Sequence, residues 1–168
     1  FDRNAGVLIP IAGVLDGTVN SVLWSHDGQY VAVGGFLLAG GTGDEFQIFR
    51  FDRSTEELLV INGFNYSASV VSVDWSADDR YLAIGTSGET NEFHVLRFDR
   101  STEILIEEVG VLEGNMVRSV RWSPDGEYVA VGGTLLTGGT GDQFQILTGF
   151  NFPSKNVIKN NTVYCNSG

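Results

Sequence analysis

The 168-residue sequence predicts an all-β chain assembled from repeated four-stranded antiparallel units. Three observations lead there. One long segment recurs three times. Each recurrence breaks into short apolar runs separated by turn residues. Apolar stripes at helical spacing are absent.

The recurrence is plain in the letters. FDRNAGVLI begins at Phe1, FDRSTEELL at Phe51 and FDRSTEILI at Phe98, at spacings of 50 and 47 residues. SVLWSHDGQYVAVGG holds Trp24, SVDWSADDRYLAIGT holds Trp75 and SVRWSPDGEYVAVGG holds Trp122. GTGDEFQI, from Gly41, returns as GTGDQFQI from Gly139, and the middle copy is the shorter ETNEFHVL. Within the first unit, Ser21 to Ser25 alternates, with Val22 and Trp24 on one side. Asp27-Gly28 makes a hairpin turn into Tyr30 to Val33. A glycine-rich loop then leads to Phe46 to Phe51, and Asp52 to Thr55 turns the chain into Leu58 to Ile61. The second unit repeats this at Val73 and Trp75, Tyr81 to Ile84, Phe93 to Phe98, and Leu105. Runs such as YVAV and FQIF are apolar on both faces, so their sheets lie between packed layers.

Composition narrows the function. Ten basic residues against 21 acidic ones give a formal charge of −11, which repels a phosphate backbone and disfavours nucleic-acid binding. No run approaches the ~18 apolar residues of a membrane span. The single Cys165 can form neither an internal disulfide nor a cysteine zinc site. The motif opening at Phe1 recurs later, so the chain reads as a piece of a longer repeat protein.

Four-stranded antiparallel units of ~40–50 residues, buried on both faces, are blades of a β-propeller. Residues 1–149 are expected to hold three blades and residues 150–168 a separate tail. The string SVRWSPDGEYVAVGG at Ser119 to Gly133 resembles the first two strands of a WD-repeat blade. FQIFRFDRSTEELL resembles the third strand, its closing dipeptide and the following strand, with Phe51-Asp52 and Phe98-Asp99 where Trp-Asp usually stands. The resemblance covers Phe1 to Leu147. The Gly-His pair of WD repeats is missing, which leaves their His–Asp bonding in question, and TolB-like propellers share WSPDG. Resemblance to WD-repeat propellers implies a platform for docking partners.

Propellers have ~4–8 blades, so three leave an open arc. Two chains would supply six, hence the expectation of either a homodimeric six-bladed ring or a fragment of a larger propeller. Val7 to Ile11 aligns with the outer strand at Leu58, an outer strand without a blade. In the tail, Val157 to Gly168 resembles one rung of a parallel β-helix; alternatively Val157 to Tyr164 supplies the outer strand of the third blade, or the end is disordered.

Candidate sites follow from repetition. One Trp per unit, with Tyr30, Tyr81 and Tyr128, suits packing between blades, each indole N–H bonded to a neighbour. Asp27, Asp78 and Asp125 suit turns that bond their own backbone. Asp44 and Asp142 brush a calcium β-roll pattern but fall one residue early. Glu56, Glu57, Glu107 and Glu108 read as a solvated rim. Phe36, Leu37, Leu38, Leu135 and Leu136 sit in the loops after the second strands, either as a partner-binding patch or as local packing that lengthens the hairpin. With only His26 and His94, no repeated histidine and no G-x-S-x-G, no catalytic residue, metal or cofactor is expected. The reading is a non-enzymatic scaffold for protein interaction or self-assembly. Its alternative is a glycan-binding or adhesive recognition module of a larger secreted or cell-surface protein, with Phe36 as the exposed aromatic.

Overall fold

A computed structural model describes residues 10, 12–13, 17–38, 44–88, 92–111, 116–136 and 142–148. The first blade is β1 (Thr18–Trp24), β2 (Tyr30–Phe36), β3 (Phe46–Asp52) and β4 (Glu57–Phe64), paired antiparallel in chain order. The second is β5 (Ser69–Trp75), β6 (Tyr81–Ser87), β7 (Phe93–Asp99) and β8 (Ile104–Val111) in the same order. The third holds β9 (Met116–Trp122), β10 (Tyr128–Leu136) and β11 (Asp142–Thr148). One strand pairing, Ser87 with Met116, ties β6 to β9 across the joint between the second and third blades. The all-β, four-stranded antiparallel expectation holds. The expected strands at Val7 to Ile11 and Val157 to Tyr164 fall outside the described residues, Pro10 apart.

Local chemistry explains the hairpins. The side chain of Asp27 accepts from Gln29 N–H and Ser25 Oγ, and Asp78 accepts from Arg80 N–H and Ser76 Oγ. Asp125 accepts from Glu127 N–H and Ser123 Oγ. These Ser-x-Asp turns fix the first hairpin of every blade. The hairpins between the third and fourth strands use Asp52 and Asp99, which accept from Ser54 and Ser101. The hydroxyl and backbone bonds hold Asp52, Asp99 and Asp125 below the usual carboxylate range. Burial works against this at Asp27, but its bonds from Gln29, Ser25 and Arg100 outweigh it.

Each blade has two faces because strand side chains alternate. Tyr30, Ala32, Phe46 and Ile48 of the first blade pack against Val70, Val73, Trp75, Leu82, Ile84, Leu96 and Phe98 of the second. Tyr81, Ala83, Phe93 and Val95 of the second meet Val117, Val120, Val129, Val131 and Leu147 of the third. The two joints use residues at equivalent repeat positions. A tyrosine face of one blade seats the valine–tryptophan face of the next.

Polar ties hold the same joints. Ser21 Oγ accepts Val73 N–H at 3.2 Å, and Ser72 Oγ accepts Val120 N–H at 3.2 Å. The seat itself is a glycine. A Cβ on Gly34 would collide with Val70 Cγ1, and one on Gly85 would collide with Val117 Cγ1. Each glycine is the hole for a valine knob from the next blade.

Candidate functional site

Among the described residues, stacking leaves two faces that no neighbouring blade covers. At one end lie Val19, Val22 and Trp24, all exposed. Trp24 is 47% exposed although its repeat equivalent Trp75 is 2% exposed. At the other end lie Tyr128, Phe144 and Ile146, also exposed. Phe144 is 55% exposed, whereas its equivalents Phe46 and Phe93 are fully buried. A cavity of about 500 Å³ opens on this second face, lined by Arg121, Trp122, Tyr128, Ala130, Ile146 and Thr148. An aromatic and aliphatic surface of this kind marks an interaction site.

The loop residues divide. Phe36 and Leu37 are exposed, and Leu37 has a φ of +50°, the left-handed region that a leucine rarely occupies. Gly17 makes room for that geometry, since a Cβ there would collide with the Leu37 carbonyl. Leu38 and Leu136 are both buried and so form no part of a surface patch. Their Cδ2 atoms close over Gly35 and Gly133, in each case within 3 Å of where a Cβ would stand. They follow the local-packing alternative: Leu136 lies in β10, and Leu38 N–H bonds the Asp44 carbonyl. Leu135 belongs to β10, and its side chain lies outside the described residues.

Other expected residues are tied into the frame. Asp79 accepts His26 N–H at 2.8 Å and Asp27 N–H at 3.1 Å, and lies 2.8 Å from His26 Nδ1. This His–Asp contact joins the first two blades and is particular to that joint, since the positions equivalent to His26 are Ala77 and Pro124. Arg100 pairs with Asp27 and stacks 5.0 Å over the Tyr30 ring. Tyr30 Oη donates to Glu103, and burial together with that bond raises its pKa. Glu107 lies 2.6 Å from His94 Nδ1, and Glu108 accepts from Arg97 Nε at 2.7 Å, so these two acids are paired rather than merely solvated. His94 is buried beneath the Tyr66 ring, whose hydroxyl pKa is raised by burial and by the Glu107 charge. The indole N–H of Trp75 is buried without a partner among the described residues, contrary to expectation. Among those residues no group of three His, Cys, Asp or Glu side chains is placed to hold a metal ion. No helix among them is long and apolar enough to cross a membrane.

Stacked antiparallel blades joined face to face define a β-propeller segment. Its blades are WD-repeat-like: the model of the WD domain, G-beta repeat, matches residues 11–42 and 106–141. No curated protein matches the chain in sequence. Among solved structures, the periplasmic gluconolactonase of Pseudomonas aeruginosa aligns over 76% of this chain and 34% of its own, at 20% identity and a TM-score of 0.58. A chain of the mitotic checkpoint complex aligns over 67% and 32%, at 21% identity and a TM-score of 0.52. The Swd1 β-propeller domain of Myceliophteria thermophila aligns over 68% and 35%, at 15% identity and a TM-score of 0.51. The chain spans about a third of each, and at these identities the likeness shows the fold alone.

Proposed function

We infer that the chain is a non-enzymatic repeat scaffold that holds protein on its uncovered surfaces. The observation that carries this reading is the exposed Tyr128, Phe144 and Ile146 face, whose counterparts in the other two blades are buried against protein. Phe36 and Leu37 form a second contact point, at the corner where strain holds a leucine outward. The docking role implied by the WD-repeat resemblance supports the same reading. Both histidines are engaged in bonds across or within blades, which supports a structural use for them.

Photo-crosslinking tests it. A benzoylphenylalanine placed at Phe36 or at Phe144 is expected to give discrete covalent protein adducts. Hydrolysis of gluconolactone above the buffer rate, with no adduct from either position, would overturn the scaffold reading in favour of an enzyme like the Pseudomonas neighbour.

A further inference from the structure

We propose that the outer face of the third blade is a socket for the Val19–Trp24 face of a second copy of this chain, joined head to tail. This deepens the scaffold reading and rests on it.

The inference comes from comparing three equivalent positions. Gly34 receives Val70, and Gly85 receives Val117, each so closely that a Cβ would collide. Among the described residues the third seat, Gly132, is open: a Cβ there would meet nothing nearer than the Gln143 carbonyl at 3.8 Å. The third knob is Val19, at the repeat position of Val70 and Val117, and it is exposed. The polar tie is likewise incomplete. Ser21 and Ser72 each bond the next blade's valine N–H, while Ser119 stands on the same face of its blade with the Val22 N–H as its counterpart. Around the seat, Tyr128, Ala130, Phe144 and Ile146 repeat Tyr30, Ala32, Phe46 and Ile48, which are buried against Trp75 and Val73. The chain therefore carries both halves of a joint that it has already made twice.

Both halves lie on every copy, so the contact is heterologous, and it closes only if the rotation per joint suits the number of blades. Two arcs give six blades, inside the usual range of ~4–8. The contact is apolar between chains of charge −11, so added salt screens repulsion and strengthens it.

Sedimentation equilibrium across a dilution series at moderate salt tests the joint. The wild-type chain is expected to approach twice 18.2 kDa. Gly132→Val fills the seat in open space and is expected to remain monomeric with the unfolding midpoint of the dilute, dissociated wild-type chain. Val19→Asp spoils the knob on the opposite face and should do the same. Mixing the two variants should restore a heterodimer, because one intact knob then meets one intact seat. Three results would overturn the proposal: a wild-type monomer at every concentration, a dimer indifferent to both variants, or variants that fail to recombine on mixing. A monomeric wild type whose Phe144 photo-adduct is with a different protein would overturn the joint alone and leave the scaffold reading standing.

Discussion

Asp79 sits in the left-handed region, at φ +56°, and from there its carboxylate binds the backbone of His26 in the neighbouring blade. Its repeat equivalents are Gly28 and Gly126, with φ of +68° and +74°. Glycine is the relaxed choice at such a position, so aspartate there costs conformational energy that the bonds to His26 and Asp27 offset. Asp79 is buried, which keeps those bonds from water. Asp79→Gly should therefore lower stability by about 1–2 kcal/mol despite relieving strain. Asp79→Asn keeps tolerance of the left-handed region and one acceptor, so it should lose less. Urea unfolding of the three proteins checks the order, and an Asp79→Gly variant as stable as wild type would sink it.

Leu37 shows the opposite balance. It holds a positive φ with its side chain exposed, and relief of that strain is worth roughly 1 kcal/mol. Leu37→Gly is expected to raise the thermal midpoint and to weaken the yield of partner crosslinks from Phe36. A midpoint that falls would mean that the leucine side chain stabilises the fold itself.

The same letter at the same repeat position has different consequences in different blades. Trp75→Ala removes a buried indole from the first joint and should cost about 3–5 kcal/mol. Trp24→Ala removes a half-exposed one and should barely change the unfolding of the dilute chain, while weakening self-association. Equal losses in denaturant titrations would contradict the assignment of joints.

Acid and neutral pH act on opposite carboxylates. Asp27, Asp52, Asp99 and Asp125 have depressed pKa values, so their contribution is present above the unfolded-state pKa and is lost as pH falls through the native one. The chain should unfold in acid. Asp74 runs the other way: burial raises its pKa, against the opposing bond from Trp122 N–H and the charge of Arg121. A raised carboxyl favours the native state below the unfolded-state pKa and loses that contribution as pH rises through the native value. Asp74→Asn keeps an acceptor for Trp122 N–H and removes the buried charge. Its stability relative to wild type should rise with pH across that window, as read by urea titrations at several pH values. A flat difference would contradict the sign.

Much of the frame was legible because the forces that shape it are local. The Ser-x-Asp turns, the alternation of Tyr-Val-Ala-Val and the recurring Trp each carry their own strand or hairpin signal. Which face is covered was not legible, because Trp24 and Trp75 sit in near-identical strings and differ only in having a blade beside them. Leu37 and Leu38 are likewise adjacent and chemically alike. What separates the buried leucine from the exposed one is the bare surface of Gly35, over which the Leu38 side chain closes beside the Thr18 carbonyl. Asp79 did leave a signal, an aspartate where two sibling repeats have glycine, but the bond that explains it crosses between blades.

The central claim is that one joint, made twice within the chain, is available a third time between chains. Amide hydrogen exchange at three equivalent valines measures it. Val73 and Val120, bonded to Ser21 and Ser72, should be protected at all concentrations. Val22 should exchange fast in dilute solution and become protected as concentration rises, in step with the solution mass. A Val22 amide that stays fast while the mass doubles would contradict the account.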